Sequence, residues 1–446
     1  MFGTEYSECA PDVKSGRRRG RARNGACGVR SEQIGNSWIS AGGGLRVKTY
    51  KVGVVGLSHG VNHARIVNDY LPNAELVMVC DLLEERLEGA AKALQCKNTT
   101  RHYADMVGNA DIDVICVASS DYTHGKMVLA ALDAGKHVMV ETPMENRDMD
   151  LLWNIVRLTE RKNLKLQFDV ADRWLAESLT MKELIDEGKV GDPYYVICEY
   201  LQDIRQQGAG YLLDPRGFRM GYGEMPQEPV SAGAGLYALD TAMWFCGEPF
   251  TEVFAYGNRK NLPSRNIDDH DVAMFRSASG TIARVQCSKA ARRPYKEIIK
   301  SVWGTRGTVE CSGYLPTPKE DNTSVYACLT DAGAGAEAYP GDYEMEPVPM
   351  KEQQLPPGMT EEDVSRVGHE GVEVLSWLDL LASIDEDRLP AVDVYQGFRV
   401  GAGAIAVRRS KEENRPVAIP QIVARHEELK QRRPLPMADV SIEDLW

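Results

Sequence analysis

From residue 50 to about 170, short apolar runs alternate with stretches whose apolar residues recur at helical spacing. Val52–Val55 runs into a glycine turn and a helical stretch at Ala64–Tyr70; Glu75–Cys80 is a second apolar run, ending at Asp81. Helical spacing at Glu84–Leu94 precedes a third run at Asp113–Ala118, and His124–Ala134 reads as a helix stopped by Gly135. His137–Val140 is a fourth strand, Met149–Lys162 a helix and Leu164–Phe168 a fifth strand. Strands this apolar, alternating with helices, predict a parallel sheet covered on both faces.

Beyond residue 170 the pattern changes. A helix at Ser178–Gly188 is followed by strand-like runs at Tyr194–Tyr200, Thr251–Tyr256, Asp271–Arg276, Thr281–Cys287, Ile298–Val302 and Thr308–Cys311. Ser279-Gly280 joins two of them as a hairpin. This predicts an α+β domain built on one large, mostly antiparallel open-faced sheet. Residues 312–366, rich in Pro, Gly and acids, read as a long surface excursion. Helices near Gly371–Ile384 and Arg399–Ser410 follow. The expected organisation is a basic, disordered leader at 1–48, a first domain at 49–170, a second at 171–410 and a polar tail at 411–446.

Charge narrows the partners. The chain of 446 residues carries a formal net charge of −13, which argues against nucleic acid or an acidic membrane surface. Residues 1–48 hold nine Lys/Arg against four acids, and their Gly/Ser/Arg bias fits a leader better than a nucleic-acid arm. No window approaches the roughly 20 apolar residues that span a bilayer. The ten cysteines contain no Cys-x-x-Cys pair and several lie inside apolar strands, as buried thiols of a reducing cytoplasm do.

The chemistry begins at Gly56-Leu-Ser58-His59-Gly60-Val-Asn-His63, between a strand and a helix. Glycines in such a turn let the backbone approach a pyrophosphate at a helix N-terminus. Ser58 stands where the second glycine of G-x-G-x-x-G usually falls, and the third comes one residue early. Asp81 closes the next strand 25 residues after Gly56, where a carboxylate accepts from adenosine ribose hydroxyls and repels a 2′-phosphate. That selects NAD over NADP.

With this turn, four further segments carry a family resemblance: Glu141-Thr142-Pro143 after the fourth strand, Ala118-Ser119-Ser-Asp-Tyr-Thr-His124, Leu184–Pro193 and Trp303-Gly-Thr-Arg-Gly-Thr-Val-Glu310. Over roughly residues 50–410 the chain resembles the Gfo/Idh/MocA oxidoreductases, the glucose-fructose oxidoreductase and inositol dehydrogenase family. The resemblance implies a Rossmann NAD-binding domain followed by the large-sheet domain. It makes Gly56, Ser58, His59, Gly60, Asp81, Ser119, His124, Glu141 and Pro143 cofactor-binding candidates. It also implies a homo-oligomer, dimer or tetramer, formed through the open sheet.

The family's turn is typically Glu-Lys-Pro, with an Asp-x-x-x-His on a second-domain helix; the lysine works beside the nicotinamide and the histidine takes the hydroxyl proton. Here Thr142 replaces the lysine. Anchoring the helix on Asp240 and Gly247-Glu-Pro249 puts Gly233 at the aspartate and Tyr237 at the histidine; a shifted register would use Asp240 and Trp244 instead. Tyr237 is either the acid/base, its phenol lowered from about 10 by a nearby cation, or a core aromatic. His369, in Gly368-His-Glu-Gly371, is the second acid/base candidate. Arg173 and Asp240 are substrate-binding candidates, Arg173 with an interdomain salt bridge as its alternative. Asp268-Asp-His-Asp271 has metal-like spacing but reads as the start of a strand, so no metal is expected.

The expected activity is hydride transfer between a nicotinamide and a hydroxyl-bearing carbon of a sugar, glycoside or cyclitol. Redox-assisted glycoside cleavage with recycled NAD, and a non-catalytic NAD-binding sensor, are the alternatives.

Overall fold

The computed structural model describes residues 48–203, 235–261, 268–292, 298–311, 324–329, 344–353, 355, 359–367 and 369–421. Its first part is β1 (Tyr50–Val55), α1 (Gly60–Tyr70), β2 (Ala74–Cys80), α2 (Glu84–Leu94), β3 (Thr99–Thr100), α3 (Tyr103–Gly108), β4 (Val114–Val117), α4 (His124–Asp133), β5 (His137–Val140), α5 (Met149–Arg161) and β6 (Leu166–Phe168). The strands form one parallel sheet in the order β3-β2-β1-β4-β5-β6. β4 is buried at every residue, as a strand covered by helices on both faces must be. Asp148 caps α5, its carboxylate accepting from the N–H groups of Asp150 and Leu151.

A 3₁₀ turn at Ala171–Trp174 leads to α6 (Ala176–Asp186), β7 (Pro193–Leu201), α7 (Leu236–Cys246), β8 (Phe250–Asn258), β9 (His270–Ser277), β10 (Ile282–Ser288), β11 (Ile298–Gly304) and β12 (Gly307–Cys311). After them come β13 (Val325–Leu329), β14 (Glu346–Val348), α8 (Glu361–Val367), α9 (Glu373–Asp385), α10 (Val394–Glu413) and β15 (Val417–Ala418). The second sheet has nine strands in the order β14-β13-β12-β11-β7-β10-β9-β8-β15. Only its β7–β10 pair is parallel. Register sends Val253, Ala255, Ala273, Phe275, Ala283, Val285, Cys287, Val196, Cys198, Val302 and Val309 to one face, where all are at most 1% exposed. Helices α7 and α10 pack on the strands of this sheet.

Two sequence expectations need correction. The stretch 312–366 is more than an excursion, because β13, β14 and the start of α8 lie within it and the two strands extend the second sheet. The tail expected from Lys411 is not wholly outside the fold, since α10 runs to Glu413 and β15 pairs with β8.

Helix α9 matters most for function. Although 200 residues beyond the first sheet, it packs on it: Val374, Trp377, Leu380 and Leu381 share a core with Val52 and Val54 of β1, Ala64 of α1 and Cys116 of β4. Burying a large apolar side chain fully is worth about 1.5–3 kcal/mol, so this stripe ties the N-terminus of α9 to the carboxyl ends of β1 and β5.

Candidate active site

The order of the first sheet reverses between β1 and β4, and in open α/β sheets the ligand crevice lies at such a switch, outside the carboxyl ends of the strands. The turns after β1 and β4 touch there. Gly56 has φ +88°, and a Cβ on it would lie 2.4 Å from the Ala118 carbonyl oxygen and 2.5 Å from Ser119 Cα. Helix α1 starts at Gly60 with no acidic residue in its first turn and no side-chain cap, leaving its N-terminus open to an anion. Asp81 is buried at the end of β2; its Oδ2 accepts from Leu57 N–H (2.7 Å) and its Oδ1 from Leu83 N–H (2.9 Å). These features fit a dinucleotide, and Gly56 demands glycine for the reason a pyrophosphate turn does.

His124 holds the crevice together from below. Fully buried, it brings Nδ1 within 2.8 Å of the Pro143 carbonyl and Nε2 within 3.1 Å of that of Ser119. Both nitrogens are spent on backbone, so His124 positions the two turns and is not available to the cofactor. Ser58 is exposed on the turn, and Ser119 Oγ bonds Thr123 Oγ1 at 2.7 Å.

Beside the β5 turn lies a polar cluster drawn from three segments. Glu141 Oε1 stands 2.9 Å from His63 Nε2 and 3.2 Å from His59 Nε2, while its Oε2 accepts from Thr142 N–H at 3.2 Å. Glu373, at the start of α9, places Oε1 3.1 Å from His59 Nε2 and in contact with His369 Nδ1. Trp377 Nε1–H donates to His63 Nδ1 at 3.1 Å. An indole only donates, so the His63 proton sits on Nε2 and is given to Glu141; the carboxylates pull a further proton toward this ring, but the indole opposes it.

Burial works against the charge on His59, yet Glu141 and Glu373 hold its pKa up at about 11. His369 is raised to about 9 in the same way, burial being outweighed by its bond to Glu373. Burial would raise the Glu373 carboxyl, but His63, His369 and His59 bring it down to about 2.

The three catalytic candidates converge here. The Tyr237 phenol lies beside the Thr142 side chain and its ring stands edge-on to His369 at 6.5 Å, with Tyr200 of β7 stacked on it at 6.1 Å. The expectation that a cation lowers the Tyr237 phenol is corrected. Burial, then Glu141, push its pKa up, so it stays a neutral phenol. Trp244, the alternative register, lies instead under the Arg173 guanidinium. Gly233 falls outside the described residues.

The substrate candidates are spent on each other. Arg173 grips Asp240 with two bonds of 2.6 and 2.9 Å, and Gln396 donates to the same carboxylate at 2.7 Å. Asp240 is fully buried, so the pair ties α7 to the Ala171–Trp174 turn. Asp268 pairs with Lys411, and the Asp269 carboxylate accepts from the backbone of Lys260 and Asn261, as strand-start residues do. Sequence reasoning missed Glu373, His63 and Trp377. Four residues separate Glu373 from His369, one helical turn, and that spacing was the available signal.

Two family models match the chain: "Oxidoreductase family, NAD-binding Rossmann fold" over residues 50–169 and the "GFO/IDH/MocA C-terminal domain" over residues 178–310. The chain belongs to the GFO/IDH/MocA family of NAD-binding oxidoreductases. It is 26% identical over 288 residues to inositol 2-dehydrogenase 3 of Saccharopolyspora erythraea, covering 63% of this chain and 79% of that one. An inositol 2-dehydrogenase of Salmonella typhimurium is 25% identical over 274 residues, 60% and 74% of the two chains. Among solved structures, levoglucosan dehydrogenase in complex with NADH superposes with a TM-score of 0.66 at 19% identity, covering 84% of this chain and all of that one. Apo scyllo-inositol dehydrogenase from Lactobacillus casei gives 0.64 at 20% identity, with 84% and 99% coverage.

Proposed function

We propose that the protein is an NAD-dependent dehydrogenase of a cyclitol or sugar, with His369 as its acid/base and Glu373 as the group that orients it. The observation that carries this is the dyad. His369 is half-exposed, its Nδ1 faces the buried Glu373 carboxylate, and its Nε2 has no hydrogen-bond partner among the described residues. A base held by a carboxylate with its other nitrogen free is the arrangement that proton transfer from a hydroxyl needs.

Bound NAD would accept the hydride from the carbon that carries the hydroxyl. The hydroxyl proton passes to Nε2 of neutral His369, the form that gains population as pH rises toward 9, as the carbonyl forms; in reduction the imidazolium returns it. Thr142 and the neutral Tyr237 phenol, side by side, offer the substrate oxygen a hydrogen bond without charge. Gly56 and the α1 N-terminus would take the pyrophosphate and Asp81 the adenosine ribose. Arg86 does not free this site for a 2′-phosphate, being 3.5 Å from the Asp81 carboxylate and directed to it. The inositol and levoglucosan dehydrogenases among the relatives support a polyhydroxylated ring as substrate.

The test is a panel of inositols, sugars and anhydrosugars with NAD, followed at the NADH absorbance, in wild type and His369→Ala. Turnover of a ring alcohol that falls steeply in the variant supports the reading. Cleavage of a glycoside without net NADH, or tight NADH binding with no substrate at all, overturns it.

We further propose a homo-oligomer through the open face of the second sheet. Register places Phe254, Tyr256, Met274, Ile282, Tyr195 and Trp303 on this face, and Tyr256, Ile282 and Trp303 are 63%, 42% and 39% exposed. Arg276, Arg284 and Glu199 share this face, and exposed aromatic and aliphatic residues interleaved with arginine fit an interface between copies. Among the described residues no helix is long and apolar enough to cross a membrane.

A further inference from the structure

The cluster beneath the β5 turn has a property that hydride transfer does not use. One donor atom each from His59, His63, Glu141 and Glu373 lies within 4.8 Å of the other three. Metal–ligand bonds of about 2.0–2.2 Å hold the donors of a small divalent ion about 3–4 Å apart. His59 Nε2 stands 3.2 Å from Glu141 Oε1 and 3.1 Å from Glu373 Oε1, at the near edge of that range, so the cluster needs only a slight opening.

Two further observations point to a ligand. Glu373 Oε2 is buried and has no hydrogen-bond partner, although Oε1 of the same carboxylate faces both His59 and His369. Asp169, 2% exposed, also leaves Oδ2 without a hydrogen bond, 3.7 Å from His63 Nε2. Buried carboxylate oxygens are rarely left bare, and here two carboxylates each keep one oxygen that none of the neighbouring imidazoles hydrogen-bonds.

We propose that His59, Glu141 and Glu373 bind a divalent first-row metal ion, with His63 as the residue that orients Glu141. His63 is not itself a ligand because the Trp377 indole N–H occupies its Nδ1. Ligation through Nε2 would put a proton on Nδ1 and set two N–H donors against each other. With its proton on Nε2, His63 donates to Glu141 and fixes the carboxylate, the part a neighbouring hydrogen-bond donor plays at metal sites. One imidazole and two carboxylates suit Zn²⁺, Mn²⁺ or Fe²⁺ better than a soft ion. His59 is the one exposed ligand, so the ion's open position lies on its side, toward the cofactor turn. The site shares Glu373 with the His369 dyad, and its test reads ion binding alone, so its failure and that of the hydride-transfer reading are told apart.

The experiment uses full-length protein stripped with a chelator, without NAD or substrate. Zn²⁺ and Mn²⁺ are titrated by calorimetry, and Mn²⁺ also by electron paramagnetic resonance. One ion per chain is expected, with affinity falling at least 10-fold in His59→Ala and in Glu373→Gln. His63→Gln, whose amide can still donate to Glu141, is expected to stay within about threefold of wild type. Circular dichroism checks that each variant is folded. Absence of a stoichiometric site for both ions, or undiminished affinity in folded His59→Ala and Glu373→Gln, overturns the proposal. Loss of binding in folded His63→Gln equal to that in His59→Ala overturns the division of roles.

Discussion

Gly56 shows how much one residue can decide. Its left-handed backbone and the Ala118 carbonyl 2.4 Å from a would-be Cβ leave room for hydrogen alone. Gly56→Ala is expected to add about 1–3 kcal/mol of backbone strain and to weaken NADH binding at least 10-fold, measured by thermal melts and by NADH fluorescence titration. His137 makes a different prediction. Burial, then Lys48 and Lys165, depress its pKa to about 4, and its Nδ1 accepts from Lys165 N–H at 3.0 Å. A neutral ring in the fold and a titrating one in the unfolded chain give stability that is complete above pH 6.5 and lost as pH falls toward 4. The loss amounts to at most about 3 kcal/mol, and unfolding of His137→Gln across that window should lack it.

At this scale the sequence was legible where a residue serves its neighbours in the chain, as Gly56 and Asp81 do. At Glu373 it was legible only in part: the spacing to His369 lies in the sequence, but the contact with His59 joins residues more than 300 apart. Arg173 and Asp240 show the same limit from the other side. Both are polar groups beside a site, and only their mutual distance reveals that they neutralise each other.

Among the elements, the parallel strands could be read because each is a continuous apolar run longer than a turn. β3 has two residues and no periodicity to detect. β14 contains Pro347, which lacks a ladder donor and is tolerated because this strand is the sheet's edge. Composition alone placed it in a loop. The Ala171–Trp174 turn, α6 and β11 meet at Lys300, fully buried with Nζ 2.7 Å from Asp172 Oδ1 and 2.6 Å from Ser178 Oγ. Thr241 of α7 donates to the other oxygen of Asp172 at 2.6 Å. Lys300→Met would leave Asp172 buried without its cation, so a loss of about 3–5 kcal/mol is expected by denaturant unfolding. A loss below about 1 kcal/mol would show that the ion pair does not hold these elements together.

Across the whole molecule, the two sheets divide the work: the first presents a crevice for a dinucleotide, and the second a covered face toward the helices and, away from them, an open one of aromatic, aliphatic and charged residues. The presence of two different sheets was legible, since the change from helical alternation to strands near residue 170 is visible in the sequence. The return of α9 to the first sheet was not, because an amphipathic helix does not name the surface it will cover. If the open face joins copies of the chain, Ile282→Lys with Met274→Lys should shift the protein to a smaller species in light scattering, with the melting temperature of the monomeric unit little changed. An unshifted mass would place any interface elsewhere.

The central claim is that His369, held by the Glu373 carboxylate at the start of α9, takes the hydroxyl proton in place of the family's second-domain histidine. Steady-state oxidation of the best ring alcohol by NAD in wild type and His369→Ala, with NADH affinity measured alongside, tests it most directly. The account predicts a fall in kcat of about 100-fold or more, within the range of acid–base catalysis, at unchanged NADH affinity. An undiminished kcat in the folded variant would contradict it.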